Sequence, residues 1–107
     1  MRIFILFIIC LMLTVTPLFA APTINIAIRH HLFYPSTVEI PVDTKVKLLI
    51  DNQDQTAEEF ESYELNREKV IPGHSKGVVF IGPLPAGEYP FFGEFFPKTA
   101  QGKVIVK

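Results

Sequence analysis

Tyr89-Pro90-Phe91-Phe92-Gly93-Glu94-Phe95-Phe96 (YPFFGEFF) is the stretch that decides how this chain folds. In an extended backbone Tyr89, Phe91, Gly93 and Phe95 share one face and their alternates the other. So aromatic a strand must bury at least one face in a core. After a short loop, Gly102-Lys103-Val104-Ile105-Val106-Lys107 (GKVIVK) alternates again, with Val104 and Val106 together. The C-terminal end is therefore predicted to be strand, loop, strand.

The same period of two recurs upstream. Ile24, Ile26 and Ile28 alternate with Asn25, Ala27 and Arg29. Phe33 to Ile40 reads as a second strand, with Val38 and Ile40 inward and Pro35 at its bent or edge start. Pro41 to Thr44 (PVDT) turns the chain, and Val46, Leu48 and Ile50 mark the next strand between Lys45 and Lys47. Asp51 to Thr56 is a polar loop. Glu58 to Leu65 (EEFESYEL) is ambiguous locally, because Glu64 and Glu68 also have a helical spacing. Ile71 to Ser75 (IPGHS) is a turn, Val78 and Phe80 lie in a strand, and Pro83 to Gly87 (PLPAG) turns again. Short strands punctuated by Pro and Gly every 8 to 12 residues or so predict an all-β, antiparallel Greek-key sandwich of about seven or eight strands.

The first 20 of the 107 residues have a different character. Arg2 precedes an apolar run from Ile3 to Val15, broken only by Thr14, and Ala20-Ala21 offers a small-residue cleavage site. This is the pattern of a secretory signal peptide. The run is shorter than the roughly 20 residues that span a bilayer. Cys10 lies inside it, without the small residues that precede a lipidated cysteine. The expectation is a signal peptide over 1–20 and one exported domain over 21–107. Cleavage removes the only cysteine and both methionines, and leaves nine basic against eleven acidic residues, a net charge of −2. With no disulfide available, packing must stabilise the domain. With no basic stripe, nucleic acid is not an expected partner.

Chemistry-bearing residues are few. Ser36, Ser62 and Ser75 are scattered, and neither an oxyanion-hole motif nor a phosphate-binding glycine loop occurs. No enzyme is expected. Glu58, Glu59, Glu61 and Glu64 crowd one segment, either as a solvated acidic face or as metal ligands, with Arg67 and Lys69 near enough in sequence to neutralise some of them. His30 and His31 are adjacent, so in an extended segment their side chains diverge, and only a bend could bring both to one site. His74 follows Pro72-Gly73 and reads as a solvated turn residue.

These blocks together resemble a family. Phe33-Tyr34-Pro35, Val38-Glu39-Ile40-Pro41, Val46-Lys47-Leu48 and Asp51-Asn52 look like the first half of a cupredoxin. Tyr89-Pro90-Phe91 and Gly102 to Val106 look like its last two strands. Residues 58–73 (EEFESYELNREKVIPG), 81–95 (IGPLPAGEYPFFGEF) and 99–102 (TAQG) resemble the small EfeO-type cupredoxin-like proteins, which are associated with inner-membrane iron permeases. The resemblance covers nearly all of the domain.

The resemblance implies a copper-binding fold, but not a type 1 copper site. Such a site needs a cysteine thiolate, two histidines and usually an axial methionine. The cysteine that follows the Tyr-x-Phe pattern is replaced by Gly93, the histidine by Phe96, and the methionine by residues near Ala100 and Gln101. The non-blue members of the family imply instead a carboxylate-rich site of Glu59, Glu61 and Glu94, with His31, for Cu(II) or Fe(III). A metal-free alternative uses Phe92 and Phe96 as an apolar surface that docks the permease.

Overall fold

The computed structural model describes residues 20–107; the leader expected over 1–20 lies, but for Ala20, outside them. Nine strands form: β1 Thr23–Arg29, β2 Leu32–Tyr34, β3 Thr37–Ile40, β4 Val46–Asn52, β5 Glu58–Ser62, β6 Arg67–Ile71, β7 Ser75–Ile81, β8 Gly87–Gly93 and β9 Gln101–Val106. They make a four-stranded sheet, β2-β1-β4-β7, and a five-stranded sheet, β3-β9-β8-β5-β6.

Several sequence expectations change in detail, and nine strands stand where seven or eight were expected. The predicted strand over 33–40 is two strands in different sheets: β2 pairs antiparallel with β1, while β3 pairs parallel with β9. Pro35 lacks an amide hydrogen and separates them, so the chain crosses from one sheet to the other at this point. The sheets are mixed rather than wholly antiparallel, because β1 also runs parallel to β4. Glu58 to Leu65 is not helical: Glu58–Ser62 is a central strand, and its alternation BiBiB in burial overrides the local Glu spacing.

The opening stretch supplies the centre of the core. Phe91 from β8 is 1% exposed and meets the rings of Phe60 at 4.9 Å and Phe33 at 5.0 Å. Phe33 stands edge-on to Phe91, the favoured geometry for opposed ring quadrupoles. Ile26, Ile28, Leu48 and Ile50 from the other sheet, and Val104 and Val106 from β9, close around these rings. Burying each of the two fully enclosed phenylalanines contributes roughly 2–3 kcal/mol. The predicted strand ends two residues early, however. Phe95 lies beyond β8 and is 48% exposed. In β7 the inward face is Gly77, Val79 and Ile81, so Val78 and Phe80 point to solvent.

Candidate metal-binding site

The inner and outer faces of β5 hold carboxylates of opposite character. Glu58, Phe60 and Ser62 point inward, while Glu59 and Glu61 point outward. On the outer face the strand register builds a small grid. Glu61 lies opposite Phe92 of β8 on one side and Glu68 of β6 on the other. One step along, Glu59 stands beside Val70. The Glu94 amide donates to the Glu59 carbonyl (2.8 Å), which carries the β8 ladder one residue past the strand. Glu94 is thereby the cross-strand neighbour of Glu59.

Donor atoms of Glu59, Glu61 and Glu68 lie within 4.8 Å of one another. Burial pushes the Glu61 carboxyl above its ordinary range, and the charges of Glu68, Glu59 and Glu94 push it further in the same direction. None of the ion pairs among the described residues involves these four carboxylates. Arg67 and Lys69, expected to neutralise them, do not. They stand opposite Ser62 and Phe60, so the period of two turns both to the other face of β6. Arg67 donates instead to the carbonyls of Phe80 (2.9 Å) and Asn66 (2.8 Å).

His31 is held elsewhere. His30 and His31 form the two-residue turn between β1 and β2, both with positive φ (52° and 59°). The bend that two adjacent histidines would need is therefore present, but it does not join them to the carboxylates. Both backbone amides donate to the Asp54 carboxylate, at 2.8 and 3.0 Å, and His31 Nδ1 lies 3.5 Å from Asp54 Oδ2. The His31 ring stacks on Phe96 at 3.5 Å. Phe92 packs against Tyr63, with ring centroids 5.6 Å apart. Neither Phe92 nor Phe96 is fully buried. His74 is exposed in its turn, as expected.

Two residues that matter were not singled out as ligands in the sequence. Glu68 reaches the grid only through the β5–β6 register. The available signal was a pair of glutamates flanking a four-residue loop that ends on Asn66, at φ 53°. Glu58 is the second. It is 1% exposed, and its Oε1 accepts from the amides of Glu59 (3.0 Å) and Phe95 (2.9 Å), while Oε2 has no hydrogen-bond partner among the described residues. A Cβ built on Gly93 would collide with this carboxylate and with Ala100. Gly93 is where the resemblance places a copper-binding cysteine. A type 1 site is thus closed twice, by the missing thiolate and by the Glu58 carboxylate that fills its space.

The sandwich agrees with the comparison to known proteins. The sequence profile of the cupredoxin-like domain matches residues 2–106. The chain belongs to the cupredoxin-like domain family. This cupredoxin-like domain is 46% identical over 83 residues to the uncharacterized protein RP394 of Rickettsia prowazekii (strain Madrid E), a match covering 78% of this chain and 66% of that protein. The chain thus spans a little under two thirds of its relative's length. Among solved structures it resembles the metal binding domain of the Cu(I) exporting P-type ATPase CopA of Streptococcus pneumoniae D39 (TM-score 0.67, 15% identity, 79% of this chain and 84% of that one). It also resembles a purple cupredoxin from Nitrosopumilus maritimus (TM-score 0.60, 20% identity, 78% and 98%). At these identities the likeness is one of fold.

Proposed function

We propose that this cupredoxin-like domain is an EfeO-type periplasmic accessory of iron uptake. In this reading it binds an oxidised, oxygen-seeking cation, Cu(II) or Fe(III), on Glu59, Glu61 and Glu94, joined by Glu68. The observation that carries the reading is the grid itself. Three carboxylates converge within 4.8 Å on one sheet face, and among the described residues no lysine, arginine or histidine pairs with any of the four. Like charges at that spacing raise the energy of the cation-free state, and a multivalent cation relieves it. Hard oxygen donors favour oxidised cations over Cu(I). A bound ion passed on to an inner-membrane iron permease would complete the role, which is one of binding rather than turnover.

Titration of residues 21–107 with Cu(II) and with Fe(III) held soluble by a weak chelator tests this. Micromolar binding without intense blue absorption is expected, with a loss of at least tenfold in E59Q/E61Q. Failure of both metals to bind, or unchanged affinity in the double variant, would overturn the metal reading. The metal-free docking reading has less support. Phe96 stacks on the His31 ring and Phe92 leans on Tyr63, so the apolar area left there is a cleft of exposed Phe95 with Phe96 and Pro97 rather than the Phe92–Phe96 surface expected.

A further inference from the structure

The two outer faces of the sandwich carry opposite charge. On the five-stranded sheet lie Glu59, Glu61, Glu68 and Glu94. On the four-stranded sheet the register sets Lys47 opposite Phe80, Leu49 opposite Val78, and Asp51 opposite Lys76. Tyr34, Val78 and Phe80 on this face are 41%, 36% and 45% exposed. Two cations lie over its aromatic rings: the Arg29 guanidinium is 4.7 Å from the Tyr34 centroid and Lys45 Nζ is 5.0 Å from that of Phe80. Asp51 is the single carboxylate the register places among these residues, and the Gln53 amide donates to it at 3.1 Å. The face is therefore apolar at its centre and cationic around it, on a domain whose net charge is negative.

The path of the chain bears on what this face meets. Ala20, Ala21 and Pro22 line one cleft with Asp43, Thr44, Lys45 and Phe80, so this end carries one carboxylate beside its lysine. Cleavage of the expected leader after Ala20 would leave the new N-terminal ammonium at this cleft, one more cation at the Phe80 end of the face.

We propose that the outer face of the four-stranded sheet docks on an anionic phospholipid bilayer. Exposed aromatic rings suit the headgroup level, and lysine and arginine bury their stems beside them while the charged ends meet lipid phosphates. Anionic lipid attracts this face and repels the opposite one, so docking orients the domain with Glu59 and Glu61 away from the membrane. The cations supply most of the attraction, at about fivefold in partitioning for each lysine near the surface.

The test is co-sedimentation of residues 21–107, which carry all nine strands and the whole core, with vesicles in low salt and EDTA. EDTA prevents a metal on the acidic face from bridging to lipid, so the result is independent of the metal reading. The wild-type domain is expected to bind vesicles of equal parts phosphatidylglycerol and phosphatidylcholine, to release them as salt rises, and not to bind phosphatidylcholine alone. K47E/K76E should lower the partition coefficient at least tenfold and F80S should lower it too, with circular dichroism showing both folded. E59Q/E61Q should bind at least as well as wild type. Absence of binding to the anionic vesicles, or unchanged partitioning in K47E/K76E, overturns the proposal. So does concentration-dependent self-association, abolished by K47E/K76E, in a domain that ignores vesicles; the face would then pair two copies of the chain.

Discussion

Asn52 shows how much one side chain can decide. In the sequence it belongs to a polar run, Asp51 to Thr56, that reads as loop. In the structure it ends β4, has no exposed surface, and ties three segments together. Its Nδ2 donates to the carbonyls of Thr56 (2.9 Å), Ile71 (3.0 Å) and Pro72 (3.3 Å), and its Oδ1 accepts from the Asp54 amide (3.1 Å). A carboxylate has no donor to offer those carbonyls. N52D should therefore cost about 3 kcal/mol or more, read from the shift of the urea midpoint, and should cost more than N52A. A loss below about 1 kcal/mol would mean that water replaces the amide easily. Glu58 makes a related point. Nothing local separates it from Glu59, yet one is sealed in the core and the other faces solvent.

At the scale of elements, the β1–β2 turn departs from the usual chemistry. Two-residue hairpin turns with both residues at positive φ favour Asn-Gly, since neither residue is then strained. Here two histidines take those positions, and Asp54, from the loop after β4, holds both of their amides. Burial opposes ionisation of Asp54, but the two amides and the neighbouring imidazoles outweigh it and hold its carboxyl below the ordinary value. D54A should lower stability at neutral pH by about 2 kcal/mol. The sign of the pH dependence follows. A carboxyl depressed in the folded state stabilises above its unfolded value, and that contribution disappears as pH falls through the folded value. Urea unfolding at pH 7 and at about pH 2.5 should show the gap between wild type and D54A closing at the acid end. A gap that is the same at both would assign the effect to packing.

At the scale of the molecule, charge is sorted by face, and the acidic face should be measurable without metal. Glu61 titrates above its ordinary value, first through burial and then through Glu68, Glu59 and Glu94. For a carboxyl raised in the folded state, the native protein keeps a proton that the unfolded chain has lost. Stability then falls as pH rises from the ordinary value through the raised one. E61Q should accordingly melt higher than wild type at pH 7 in EDTA, and the two should converge at about pH 3, below both values. Saturating Cu(II) should reverse the order, because the ion stabilises only the chain that binds it. A lower melting temperature for E61Q in EDTA would mean that the grid is held together by something other than a metal.

Alternation of apolar and polar residues is a property of each strand alone, so most strands, their inward faces and the all-β class can be read from the sequence. So can the exclusion of type 1 copper, because the domain after Ala20 contains neither cysteine nor methionine. The split at Pro35 was legible as a bend but not as a change of sheet, since which strand accepts the next pairing depends on distant residues. The same limit governs the site. Glu59 and Glu61 announce themselves by crowding, yet whether Arg67 and Lys69 neutralise them depends on the β5–β6 register, which turns both cations away and brings Glu68 in. Register is a relation between strands, and a shift of one residue inverts every face. The sequence by itself therefore determines a sandwich with a carboxylate-rich strand. Only the tertiary structure decides which carboxylates meet, which one is buried against Gly93, and that Arg29, Lys45, Lys47 and Lys76 share the opposite face.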